Sequence, residues 1–159
     1  LPRLVAAAPW ETTLDALMLL LLVTASACLS MPEPEDATAH AARRQANRAH
    51  LQQTLGAAYD LPVPELATAD PRNGQSIYHK SCVACHGNEM DGRGGRAGVI
   101  MPPPSPLVGP ASTYYSDAGQ LYLLEHGVPD TAMAAWGDRF GRAQVIDAYA
   151  YILEQRAIR

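Results

Sequence analysis

The sequence predicts an all-α fold, and three stretches carry the prediction. Asp70-Pro71 reads as a helix start: an aspartate can cap the first N–H groups, and proline suits the first helical position, where an N–H would have no partner. Asp117 to His126 reads as a second helix, with Asp117 and Gln120 at capping-box spacing and Gly127 just past its end. Arg142 to Arg156 reads as a third, because Val145, Ile146, Tyr149, Ile152 and Leu153 recur at helical spacing and form one apolar face. No βαβ pattern is visible.

The 159 residues leave room for one ordinary domain plus an appendage. The formal net charge of −4 argues against a nucleic-acid partner, which calls for a basic surface. The appendage comes first. Leu14 to Leu29 is almost wholly apolar, with Leu17-Met18-Leu19-Leu20-Leu21-Leu22-Val23 at its centre. From Trp10 to Met31 it approaches the roughly 20 residues that a helix needs to cross hydrocarbon. Trp10 stands where an interfacial aromatic would lie, and Asp15 is close enough to the start to reach headgroups. Residues 1–31 are therefore expected to be a membrane anchor. Beside the transmembrane helix, two other readings of the stretch stand. Ala25-Ser26-Ala27-Cys28 resembles a lipobox with a weak first position, which would make Cys28 the acylated residue of a lipoprotein; a cleaved signal peptide is the third. Arg3 before the stretch, with Glu33, Glu35 and Asp36 after it, puts the N-terminus in the cytoplasm and the remainder outside.

Residues 32–69 read as a spacer, partly helical. Pro32 and Pro34 end the apolar helix. Glu35 to Ala58 is rich in Ala, Gln and Arg, and Leu51 and Leu55 are its only large aliphatics. A helix polar nearly all round is solvated, or rests on another protein. His40 and His50 have no carboxylate or thiol companions at ligand spacing and are expected to be solvated. Leu61-Pro62-Val63-Pro64 is expected to be extended. The compact domain then occupies residues 70–159.

Its chemistry is concentrated in Cys82-Val83-Ala84-Cys85-His86, a C-x-x-C-H run. Two thiols separated by one helical turn can reach the two vinyl groups on one edge of a porphyrin, and the next imidazole then points at the iron. A zinc site would need about four ligands and a thioredoxin-like pair would need a βαβ context; neither is present. The motif thus predicts one covalently bound haem c, with His86 as the proximal iron ligand. Such attachment occurs in an oxidising, extracytoplasmic space, which agrees with export.

The glycine-rich run Gly87 to Gly98 lacks the Lys-Ser/Thr ending and the preceding strand of a phosphate loop. Its glycines are expected to let backbone pass close to the porphyrin. In Met101-Pro102-Pro103-Pro104-Ser105-Pro106, a proline carbonyl is expected to accept the proton on the far nitrogen of His86. His126 is expected to be solvated or to face the helix dipole. Met133 lies in a loop between two helices, where a thioether on the second iron face would favour the ferrous state.

From Gly74 to Leu153 the chain resembles the class I c-type cytochromes, above all the small monohaem domains of membrane oxidases, dehydrogenases and quinol-oxidising complexes. The matching residues are Gly74 and Tyr78, then Cys82, Cys85, His86 and Gly87, the glycine loop, Gly127-Val128-Pro129, Met133 three residues before Trp136, and the closing helix with Tyr149. The resemblance implies a cytochrome c fold of three or more helices around one haem, its first and last helices crossing near Gly74 and Tyr149. It implies His86 and Met133 as the axial ligands, with Met101 and Met90 as the next candidates. One residue departs from the family pattern: Ala134 stands where a proline usually follows the distal methionine. The implied activity is single-electron transfer between redox proteins, with no small-molecule substrate and no catalytic residue. The implied setting is a respiratory or photosynthetic complex of a bacterial inner membrane, the haem domain on the periplasmic side. Arg93 and Arg96 are expected to rim the exposed haem edge. Two other classes stay open: a five-coordinate haem sensor or enzyme, and a mainly structural subunit.

Overall fold

The computed structural model describes residues 37–159; the membrane anchor expected over residues 1–31 lies outside the described residues. Every regular element among the described residues is helical, and none of these helices is long and apolar enough to cross a membrane. In chain order they are α1 (Ala37–Leu55), α2 (Pro71–Ser81), α3 (Val83–His86), α4 (Asp117–His126) and α5 (Gly137–Ala157), with short 3-10 turns between them.

Asp70 caps α2 as its position suggests: the carboxylate accepts from the Arg72 N–H at 2.9 Å, and Pro71 opens the helix. Gly74, Ile77 and Tyr78 are buried along one face of α2. Tyr78 shares one buried core with Val145, Ile146, Tyr149, Tyr151 and Ile152 of α5, and its ring lies against that of Tyr151. The two helices meet at Gly74, where a Cβ would lie 1.9 Å from the carbonyl oxygen of Asp147. Only glycine lets the backbones approach this closely. The Asp147 carboxylate locks the crossing, accepting from the Asp70 N–H and the Asn73 side-chain amide, each at 2.8 Å. Helix α5 starts ahead of Arg142 and is interrupted at Gly141, whose φ of 69° is not helical. The added turn stacks Phe140 on Trp136, with centroids 5.3 Å apart.

The cap of α4 falls one residue before the expected one. Ser116 is the N-cap, its hydroxyl accepting from the Gly119 N–H at 3.1 Å. Asp117 instead accepts from the Tyr149 hydroxyl at 2.7 Å. Tyr149 is 1 % exposed, so its hydroxyl has no water to turn to and needs a protein acceptor. Gln120, the other half of the expected box, donates to the Tyr115 carbonyl.

The largest departure concerns α1. The expectation was a helix solvated or resting on another protein; it rests on its own chain. Leu51 is 0 % exposed and the following Tyr59 is 2 % exposed. Both lie against Gly119 of α4, and the Tyr59 hydroxyl accepts from the Ser116 N–H. His50 meets Tyr122 edge-on, and the Tyr115 hydroxyl donates to the Arg44 carbonyl. One leucine and one tyrosine thus anchor a helix that has no broad apolar stripe. After it the backbone is extended at Leu61 and Val63, and Pro64 opens a 3-10 turn.

Candidate functional site

The attachment turn grows directly out of α2. The Cys82 N–H donates to the Tyr78 carbonyl at 2.8 Å, and the Cys82 carbonyl accepts from Cys85 at 3.1 Å and from His86 at 2.9 Å. The glycine loop then wraps the turn from outside. Gly94 donates to the Cys85 carbonyl, Arg96 to Ala84 and Gly92 to His86, while the Tyr78 hydroxyl donates to Gly87 at 2.6 Å. Those loop N–H groups are committed to carbonyls of the motif, so the loop braces the turn rather than cradling an anion.

Cys82, Cys85 and His86 line a single cleft with a volume of about 220 Å³. The Nδ1 of His86 lies 3.0 Å from the carbonyl oxygen of Ser105. A carbonyl can only accept, so Nδ1 carries the proton and Nε2 is left as a donor of electrons to a metal. The carbonyl does belong to the proline-rich strand, but to Ser105 between Pro104 and Pro106, not to a proline. Burial pushes the His86 pKa down, against the upward pull of the Ser105 bond, and so favours the neutral ring that binds metals. Burial, and then the neighbouring Cys85, push the Cys82 thiol up to about 11.

Met133 reaches the same cleft from the loop between α4 and α5. Gly127 ends α4 with φ 79°, and a Cβ there would lie 2.8 Å from the Met133 carbonyl. The loop closes on itself: the Val128 N–H donates to that carbonyl at 3.1 Å. Thr131 accepts from the Met133 N–H and donates to Val128. A threonine hydroxyl therefore holds the methionine in this chain, where Ala134 provides no proline ring. Of the other two methionine candidates, Met90 is buried in the core at 1 % exposure and Met101 is exposed; neither lines the cleft.

The cleft wall is mostly apolar, from Leu107, Leu123, Leu124, Val128 and Ile152 together with the proline strand. Polar side chains interrupt it, among them Tyr115, Gln120 and Tyr149. Arg43, Arg44 and Asn47 come from α1, and Arg156 comes from α5. The indole N–H of Trp136, also on the wall, is buried with no partner among the described residues.

Residues 69–152 match the family described as "Cytochrome C oxidase, cbb3-type, subunit III". The chain belongs to this family of c-type cytochromes. Cytochrome c6 from Thermosynechococcus vestitus and cytochrome c6 from Thermostichus vulcanus are each 30% identical to it over 96 residues, which is 59% of this chain and 78% of the relative. No solved structure matches it significantly. As a class I c-type cytochrome it holds one covalently bound haem c with its iron and is a monohaem electron carrier. The cleft of this cytochrome fits that group. It offers two thiols, a neutral imidazole fixed through its far nitrogen, a thioether, apolar walls, and a buried indole donor that calls for an acceptor.

Sequence reasoning found the ligand candidates and missed most of the polar wall. Arg43, Arg44 and Asn47 lie with His40 at positions i, i+3, i+4 and i+7 of α1, in line with Leu51. That spacing is the signal that would have found them. His40 belongs to this stripe and lies 3.1 Å from Arg43, so it is not simply a solvated residue. His126 conforms to expectation: exposed, stacked on Tyr122, with Nδ1 3.0 Å from the Tyr122 carbonyl.

Proposed function

We propose that Cys82 and Cys85 form the thioether links, that His86 and Met133 are the axial iron ligands, and that the protein is a membrane-tethered subunit of a respiratory or photosynthetic complex. The observation that carries the reading is convergence: two segments about 50 residues apart bring the two thiols, the imidazole and the thioether to one apolar cleft. When bound, the haem supplies a one-electron iron couple. The chain's own residues set its conditions. His86 is oriented by Ser105, and Met133 is held by Thr131. A thioether favours the ferrous form and raises the potential. The apolar wall excludes water, which limits the solvent rearrangement that accompanies a change in charge.

Residues 1–31 then act as the anchor in a bacterial inner membrane, 32–69 as the connecting segment, and 70–159 as the haem domain on the periplasmic side. The apolar run Leu14 to Leu29 and the oxidase-subunit family support this. Arg93 and Arg96 are exposed on the loop that braces the attachment turn, a position suited to redox partners.

The test is Met133→Ala in the full-length holoprotein. Haem remains attached, the far-red methionine-to-iron band of the ferric protein disappears, and the ferrous protein gains carbon monoxide binding. Persistence of the band in Met133→Ala, with its loss in Met101→Ala, overturns the assignment. A wild type that already binds carbon monoxide points to the five-coordinate reading. Deleting residues 1–31 should release the protein from the membrane fraction; unchanged sedimentation with membranes rejects the tether.

A further inference from the structure

We infer that Arg156 is a positioning residue for His86: its guanidinium fixes the path of the proline strand whose Ser105 carbonyl orients the imidazole. The inference rests on His86 as an axial ligand. It extends that reading to the last turn of α5, beyond the family match at residues 69–152.

A basic residue in the last turn of a helix is ordinarily accounted for by the helix dipole and stays in water. Arg156 is instead part-buried, and each of its three guanidinium nitrogens has a protein acceptor. Nε donates to the Leu107 carbonyl at 2.8 Å, Nη2 to the Gln120 amide oxygen at 2.6 Å, and Nη1 to the Tyr149 hydroxyl at 3.4 Å. All three acceptors are neutral, so the shape of the planar fork, and not an ion pair, selects arginine here. Two of the acceptors are themselves held. Gln120 donates to the Tyr115 carbonyl at 3.0 Å, and Tyr149 donates to Asp117 at 2.7 Å. The guanidinium thus has a fixed place between α4 and α5.

The strand needs an anchor of this kind. Pro102, Pro103, Pro104 and Pro106 have no N–H, so the segment cannot be held by donors of its own at those positions. Its hold comes from the two sides of Ser105. On one side, a Cβ at Gly92 would lie 2.4 Å from the Pro104 carbonyl oxygen, so the glycine loop abuts the strand. On the other, Leu107 is fixed twice: its N–H donates to the Met90 carbonyl at 2.8 Å, and its own carbonyl accepts from Arg156. Ser105, two residues before Leu107, presents the carbonyl that meets His86. The ring of Pro106 between them limits how far the backbone can absorb a shift. A displacement at Leu107 is therefore passed on to the His86 bond. That bond makes the imidazole a stronger electron donor, which favours ferric iron. Loosening the strand should weaken the donor and favour reduction.

The experiment is Arg156→Lys in full-length holoprotein, which keeps the charge and removes the fork. Two quantities are read: deuterium exchange of the His86 ring N–H, by NMR of the ferrous protein, and the equilibrium constant for reduction, by spectroelectrochemistry. Exchange should speed up about tenfold, and the equilibrium constant should rise about threefold. Gln120→Ala, which frees one end of the fork, should move both in the same direction by less, and carries the test if the lysine variant does not accumulate. Arg142→Lys removes a fork that joins Glu65 to Glu125, outside the strand, and should leave both within about twofold of wild type. Unchanged exchange and an unchanged equilibrium constant in Arg156→Lys, with haem attached, overturn the inference. So does an equal response in Arg142→Lys, or faster exchange at the Leu107 amide with the His86 ring N–H unmoved. A wild type without covalent haem, or a His86→Ala variant with an unaltered haem spectrum, overturns the underlying reading instead.

Discussion

The attachment turn and α1 both border one cleft, yet they are written in different ways. Around Cys82, Cys85 and His86 each residue is tied to its neighbours in sequence, and the glycine loop that braces the turn follows at once. Helix α1 reaches the same cleft across more than 60 residues, through Leu51 against Gly119 and Arg44 against Ala111. The first region names its ligand in five letters. The second presents a polar face to the cleft, so the pattern resembles an ordinary solvated helix. Absence of an apolar stripe shows only that a helix lacks a greasy neighbour, not that it lacks a neighbour.

The sharpest way to break this comparison is at the α2–α5 crossing that supports the turn. Gly74→Ala forces a Cβ into the Asp147 carbonyl and should destabilise the holoprotein by roughly 3 kcal/mol or more in urea unfolding. Gly56→Ala, at the end of α1, meets nothing within 4 Å and pays only for its φ of 53°, about 1 kcal/mol. Equal losses at the two glycines would erase the difference between a packed core and an applied helix.

Next in size is the anchor of α1. Leu51→Ala should lose about 2–3 kcal/mol, the low end of the range for emptying a buried leucine site. It should also open the helix to proteolysis while leaving the haem attached. A loss below about 0.5 kcal/mol, as at a solvated position, would mean that α1 does not dock.

The smallest effect concerns the tie between the 3-10 turn Pro64–Thr68 and α5. Glu65 bonds Arg142 at 2.9 Å, and Arg142 also bonds Glu125. The pKa of Glu65 is lowered, first by backbone hydrogen bonding and then by Arg142. A carboxylate depressed on folding adds stability above its unfolded pKa and loses it as pH falls through the folded value. Glu65→Gln should therefore be slightly less stable than wild type at neutral pH, and the gap should close in acid. A gap that persists at low pH would assign the effect to something other than charge.

Much of the haem domain was legible in advance because its signals are local. Asp70-Pro71 marks a helix start by itself, and the spacing of Val145, Ile146, Tyr149 and Ile152 marks a buried face by itself. The cap at Ser116 was misread because Asp117, an equally good cap by type, is claimed by a tyrosine hydroxyl that lies 32 residues away in sequence. The carbonyl behind His86 could be assigned to the proline strand but not to a residue, since every residue there has one. Of the three candidate methionines, Met90, Met101 and Met133, only the folded chain separates the one in the cleft from the one in the core and the one on the surface.

The bond between Ser105 and His86 has a consequence for how the site tolerates change. Its acceptor is a main-chain atom, which every amino acid possesses, so no replacement of the side chain at 105 can delete it. The rings of Pro104 and Pro106 restrict the backbone on either side. The orientation of the imidazole is thus encoded in the path of the strand, and random substitution can reach it only by bending that path.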